Sequence, residues 1–188
     1  IKYWDDSARM VDDKWDYFFS QKLPNTQKLI AEILNLSHPQ QIVFAPNTHE
    51  FVTRIFSCFD KSKKLKVLTT DSEFYSFERQ INRLSESGVV LVDKVSTQDF
   101  ETFEQRFVEK VQSTSYDLVF FSQVFFNSGF AIRNLESLVK AVPDKETIIV
   151  IDGYHGFMAL PTDLKNIEDR VFYISGSYKY AQGGEGCC

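Results

Sequence analysis

The stretch Thr147-Ile148-Ile149-Val150-Ile151-Asp152-Gly153-Tyr154-His155-Gly156 decides how this chain folds. Its first five residues are all β-branched, which stiffens χ1 and favours a pleated backbone. They do not alternate with polar residues, so the strand they predict is covered on both faces, as in a parallel sheet flanked by helices. A carboxylate at the end of such a strand is costly to bury unless a cation or several hydrogen bonds meet it. Asp152 therefore reads as a site residue, and His155, three positions on, reaches the same pocket. The competing reading is a structural Asp beside a core His.

Outward from this stretch the same unit repeats. Arg170 to Ile174 predicts a further strand on one side. Toward the N-terminus, a helix over Leu135 to Val142 follows a strand over Leu118 to Phe121. A helix over Asp99 to Val111 follows a strand over Gly88 to Val95, and one over Phe74 to Leu84 follows a strand over Lys66 to Thr69. Gln41 to Ala45 predicts one more strand, after which Asn47-Thr48 opens a helix carrying Phe51, Val52, Ile55, Phe56 and Phe59, with Thr48 suited to cap it. Asn25 to Leu36 repeats its apolar residues with a helical period. Short apolar runs alternating with helices predict an α/β fold, mostly a parallel sheet sandwiched by helices.

Composition narrows the function classes. Hydrophobic residues at 43% and charged residues at 25% belong to an ordinary globular chain. A net charge of −5 argues against nucleic acid and anionic membrane surfaces as partners. The basic run Lys61, Lys63, Lys64 and Lys66 falls between two predicted elements and reads as a solvated turn. No apolar segment approaches the ~20 residues a bilayer span needs. Cys58, Cys187 and Cys188 show no metal-ligand spacing, so no metal is expected, and a reduced, cytoplasmic protein is the simplest reading. The chain starts without Met and stops at Gly186-Cys187-Cys188, so both ends read as cuts.

In open sheets of this class ligands bind at the carboxyl ends of the strands. After Ala45, Asn47 and Thr48 open a helix whose free N–H groups suit a phosphate, or are plainly capped. After Thr70 comes Glu73-Phe74, where an aromatic ring can stack on a planar ligand or fill the core. Ser122, Gln123 and Asn127 follow the next strand, as ligand contacts or as satisfied loop groups. After Ile174, Ser175-Gly176-Ser177-Tyr178-Lys179-Tyr180 surrounds one lysine with small residues. Together, a phosphate cradle, an aromatic platform, a strand-end Asp and a lysine are the parts that bind and activate pyridoxal 5'-phosphate (PLP).

The order Asn47-Thr48, Glu73-Phe74, Asp152-Gly153-Tyr154-His155 and Ser177-Tyr178-Lys179-Tyr180 resembles the class V aminotransferase-fold PLP enzymes of fold type I. That group includes transaminases, kynureninases and cysteine desulfurases. The resemblance runs from about Gln41 to the end of the chain. It implies Lys179 as the aldimine lysine, Asp152 as the partner of the pyridine nitrogen and His155 beside the cofactor's phenolic oxygen. It also implies Phe74 at the ring-stacking position, Asn47 and Thr48 on the phosphate, and Ser177 and Tyr178 as contacts preceding the lysine. Phe74, Tyr178 and Phe126 lean toward kynureninase-like members, whereas Phe77 stands where those look acidic.

The resemblance further implies an enzyme acting on an amino-acid substrate, as an aminotransferase or a kynureninase-like carbon–carbon hydrolase, and working as a homodimer. Residues 1–40 are then an N-terminal helical segment. Residues 41–188 are the PLP-binding large domain, incomplete at its C-terminus, with the small domain missing. A cysteine desulfurase is the alternative within the family, disfavoured by Phe74 and Tyr178. A non-catalytic nucleotide-binding Rossmann-like domain is the alternative outside it. That one lacks both a G-x-G-x-x-G after the first strand and a phosphate-binding G-x-x-x-x-G-K-[ST].

Overall fold

A computed structural model describes residues 2–60 and 62–188. Lys61 of the basic run lies outside the described residues; Lys63 and Lys64 are exposed in a turn, and Lys66 is exposed on a strand. The chain divides into two compact units. One comprises residues up to Val43 together with Asp163–Lys165, and the other Phe44–Thr162 with Asn166–Cys188.

The larger unit is the α/β body. Its strands are β1 (Leu65–Thr70), β2 (Val90–Val95), β3 (Leu118–Ser122), β4 (Ile148–Asp152) and β5 (Val171–Ile174). They form one five-stranded sheet in the order β2-β1-β3-β4-β5, parallel at every pairing. β3 is buried along its whole length and β4 nearly so, as their unbroken apolar runs require, while the edge strands β2 and β5 are only partly covered.

The smaller unit is helical and comes first in the chain, with α1 (Lys2–Met10), α2 (Lys14–Tyr17) and α3 (Leu23–Leu34). α3 stops at Asn35, which takes the left-handed conformation (φ 55°) that Asn tolerates at a helix end. The Leu34 carbonyl accepts from Leu164 N (3.0 Å), and Asn35 Nδ2 donates to Asp163 Oδ2 (3.0 Å), which ties in the returning segment. α1 and α2 bury none of their residues, and Trp4 is 77% exposed.

Four more helices in the larger unit are α4 (Thr48–Ser57), α5 (Tyr75–Glu86), α6 (Phe100–Ser113) and α7 (Leu135–Lys140). α5 buries Phe77 and Ile81, four residues apart, and α6 buries Phe103, Phe107 and Val111 at the same period. Phe77 stacks on Phe120 of β3 (centroids 3.7 Å, 6°), whereas Phe107 meets the next residue, Phe121, edge-on at 5.3 Å. Successive strand residues face opposite ways, so α5 and α6 cover opposite faces of the sheet. Burying each such ring contributes roughly 1.5–3 kcal/mol.

One expected strand is not there. Pro39–Gln41 is a 3-10 turn, and the residues up to Ala45 are extended without joining the sheet. Ala45 instead exchanges both backbone bonds with Cys188, N–H to carbonyl at 2.9 and 2.8 Å. An isolated extended segment satisfies its backbone groups wherever a partner lies, and here that partner is the other end of the chain.

Candidate cofactor site

The strand order reverses between β1 and β3, and the carboxyl ends of the sheet around this switch collect the candidate side chains. Asn47, not Thr48, caps α4: its Oδ1 accepts from Glu50 N at 3.0 Å. The backbone turns from extended to helical one residue earlier than expected, which leaves Thr48 buried in the first turn. Its hydroxyl lies 3.8 Å from Cys188 Sγ. Phe74 holds the corresponding place before α5.

Lys179, His155 and Phe74 come together. Lys179 Nζ lies 2.5 Å from His155 Nε2, 5.5 Å from the centroid of the Phe74 ring and 5.4 Å from that of Tyr154. A contact that short between two nitrogens requires one of them to lack its proton. Burial pushes the Lys179 ammonium below its ordinary range against the pull of Asp152. Burial and the lysine charge lower His155 as well. Phe126 meets Phe74 edge-on at 5.3 Å, so the Phe74 ring is buttressed on its flank.

Asp152 is buried at the end of β4, with Tyr154 N donating to its Oδ1 at 2.9 Å. Burial raises its carboxyl to about 6, although that hydrogen bond and the Lys179 charge pull the other way. A second buried acid, Glu73, was not singled out as a site residue from sequence. Its carboxylate accepts from Thr70 Oγ1 (2.6 Å), Ser122 Oγ (2.6 Å) and Ser122 N (3.2 Å). Burial, helped by the charge of Asp152, still raises it to about 7. Nothing local in the sequence distinguishes Glu73 from a surface acid, because its burial depends on strands that pair far along the chain.

Asn47, Thr48, His49, Phe74, Tyr154 and Tyr178 line a cavity of about 430 Å³ in front of α4. The Tyr154 ring packs over Gly176, where a Cβ would sit 2.3 Å from the Tyr154 hydroxyl oxygen, so a side chain there would expel the ring. Ser177 is not brought to this cavity, since its hydroxyl donates to the Gly184 carbonyl (2.6 Å) within its own loop. The polar residues after β3 are satisfied internally. Gln123 Nε2 donates to Thr162 Oγ1 and Tyr173 donates to Gln123 Oε1, while Asn127 donates to Ser72 Oγ.

The family model for aminotransferase class V matches residues 10–187. The chain belongs to the class V aminotransferase family. Solved structures similar to this family member include a cysteine desulfurase from Thermococcus onnurineus NA1. It is 20% identical with a TM-score of 0.73, over 88% of this chain and 41% of that one. A NifS-like protein matches at 20% identity and TM-score 0.70, over 88% of this chain and 45% of its own. The cystine C-S lyase C-DES, in complex with its product cysteine persulfide, matches at 15% and 0.71, over 92% and 46%. This class V chain thus spans less than half the length of each of them. No curated protein matches it.

The cofactor of the class V family is PLP, and the donor set tests whether these residues fit it. A phosphate would suit the N-terminus of α4 with Thr48 in its first turn, a cationic ring nitrogen the buried Asp152 carboxylate, and an aldehyde the Lys179 amine, whose proton affinity burial lowers. A fourth feature is the Ser175 hydroxyl at the end of β5, buried without a hydrogen-bond partner. The residues fit. Among the described residues no cluster of His, Cys, Asp or Glu is placed to hold a metal, and no helix is long and apolar enough to cross a membrane.

Proposed function

We propose that the protein is a PLP-dependent enzyme acting on an amino-acid substrate, with Lys179 as the covalent anchor of the cofactor. The observation that carries this reading is the meeting of Lys179 with His155 and Phe74 beside the buried Asp152. PLP, when bound, supplies an electron sink for negative charge developing at the substrate Cα.

The chain's own residues do the rest. Asp152 would hold a protonated ring nitrogen, and its burial makes that pairing strong because little water competes. Phe74, propped by Phe126, would support the ring face. Asn47 and Thr48 at the start of α4 would take the phosphate, and Tyr178 stands at the same cavity. Lys179, whose proton affinity burial lowers, would supply the amine that anchors the cofactor and later carry a proton to or from the substrate Cα. His155, with its Nε2 against Lys179 Nζ, would accept or return that proton, or hold the cofactor's phenolic oxygen, as the class V resemblance implies.

Within this chemistry we read the enzyme as an aminotransferase or a kynureninase-like carbon–carbon hydrolase, on the strength of Phe74, Tyr178 and the Phe74–Phe126 pair. The likeness to desulfurase and C-S lyase structures favours a second reading, cysteine as the substrate. A homodimer, as the class V resemblance implies, completes the proposal, and the three free cysteines support a reduced, cytoplasmic setting.

The test is borohydride reduction of the whole protein with PLP, followed by peptide mapping. A reduced PLP label on Lys179 is expected, and a label elsewhere or none sinks the reading. Product analysis with L-kynurenine, amino donors plus keto acids, and L-cysteine with a thiol reductant then separates the reactions: anthranilate, a new amino acid, or alanine with sulfane sulfur that the thiol reduces to sulfide.

A further inference from the structure

β1 and β3 pair only at Val67↔Leu118 and Leu68↔Val119, although β1–β2 and β3–β4 stay in register to their carboxyl ends. The ladder therefore opens at the carboxyl end of the topological switch, the place where ligands bind in open sheets of this class. The Glu73 carboxylate crosses that opening, bonded on one side to Thr70 at the end of β1 and on the other to Ser122 at the end of β3. Thr70 is itself held, because its hydroxyl accepts from Ser72 N at 3.1 Å. A buried carboxylate is costly unless bonded, and three donors from two strands offset that cost only in this one geometry.

Its neighbours in sequence and register are the groups that must grip a planar ring. Phe74 follows directly and immediately precedes α5, while Ser122 stands opposite Asp152 in the β3–β4 register. The platform thus belongs to the β1 side of the opening and the ring-nitrogen partner to the β3–β4 side.

We propose that Glu73 is a positioning residue of the cofactor site, a carboxylate bridge that sets the separation between the Phe74 platform and Asp152 across the open end of β1 and β3. This rests on reading the site as a PLP site. Glu73 touches neither cofactor nor substrate; it acts through Phe74 and Ser122.

The experiment compares wild type, Glu73→Gln and Glu73→Ala in the whole protein. It measures the PLP dissociation constant and the visible circular dichroism induced in each bound PLP, which reports how firmly the ring is oriented. Glu73→Gln can still span the opening, its amide oxygen accepting from Ser122 N and its NH2 donating to a rotated Ser122 hydroxyl. It is expected to stay close to wild type. Glu73→Ala is expected to weaken PLP by roughly 10- to 100-fold and to lose at least half of the induced signal per bound PLP.

A Glu73→Ala protein with wild-type affinity and signal overturns the proposal. So does a Glu73→Gln protein as impaired as Glu73→Ala, because the charge and not the bridge would then be what matters. If Glu73→Ala does not fold, Ser122→Ala carries the test: a reduced induced signal is expected, and an unchanged one overturns the bridge. A wild-type protein with no PLP band sinks the PLP reading itself, whereas a normal wild-type band with unchanged variants sinks only the role of Glu73.

Discussion

Asp93 and Asp152 both lie on strands of one sheet, yet they are different kinds of carboxylate. Asp93, on the edge strand β2, is bonded to Lys110 Nζ at 2.8 Å and to the Tyr116 hydroxyl at 2.7 Å, and these partners hold it below the ordinary carboxylate range. It is half-exposed. Asp152, at the end of the inner strand β4, is buried, titrates near 6, and among the described residues no ion pair joins it. A partnered acid at an edge closes a structure on itself. A buried acid held short of a full partner is a place prepared for something to arrive.

The largest effect that sharpens this contrast is at Lys179. Lys179→Ala is expected to remove the borohydride-fixed PLP label and to lower amino-acid turnover by ~10⁴-fold or more, read in single-turnover assays. Turnover within tenfold of wild type would detach Lys179 from the chemistry.

Asp152→Ala is expected to weaken PLP by ~10²- to 10³-fold in equilibrium dialysis, as when one member of a buried charge pair is removed. The cofactor-free protein supplies the opposite sign. Its Asp152 carboxyl titrates near 6 when folded, against an ordinary 3.8, so the folded state holds the proton more tightly. The stability this contributes is present below pH 4 and lost as the pH rises through about 6. Replacing Asp152 by Asn should therefore stabilise the cofactor-free protein more at pH 7 than at pH 4, by roughly 2 kcal/mol in urea titrations. A pH-independent difference would deny that burial controls Asp152.

Smaller effects follow at the periphery. Asn47→Ala removes the cap of α4 and is expected to cost ~1 kcal/mol of stability, together with a loss of phosphate affinity seen as weaker PLP binding. At Asp93, Asp93→Asn should cost at most ~1 kcal/mol and less at high salt, because its partner Lys110 is also half-exposed. An Asp93→Asn protein that gains stability at pH 7 over pH 4 as Asp152→Asn does, in the same denaturant assay, would erase the distinction between the two acids.

The elements were legible because both periods were clear in the residues. All five sheet strands fall where apolar runs predicted them, and α5 and α6 where the helical period did. Gln41–Ala45 misled because a run of β-forming residues says that the backbone will extend, not which backbone will pair with it. Asn47 displaced Thr48 as the cap because adjacent Asn and Thr are both good caps, and only the turn of the chain selects one. Lys179, His155 and Phe74 come together near the buried Asp152, as their places at strand ends led one to expect. Ser177 shared the same kind of place, yet its hydroxyl turns into its own loop.

What the sequence by itself determined was local and periodic. It set which segments extend, which coil, and that acids, aromatics and one lysine would gather where parallel strands end. The tertiary structure alone decided proximity and burial. It opened the ladder between β1 and β3, put Glu73 across the gap and brought His155 against Lys179. It also left Asp152 in a dry place, where its charge is costly without a partner. The reason is physical: a residue's type is written at its own position, while its proton affinity and partners depend on distances to residues tens of positions away.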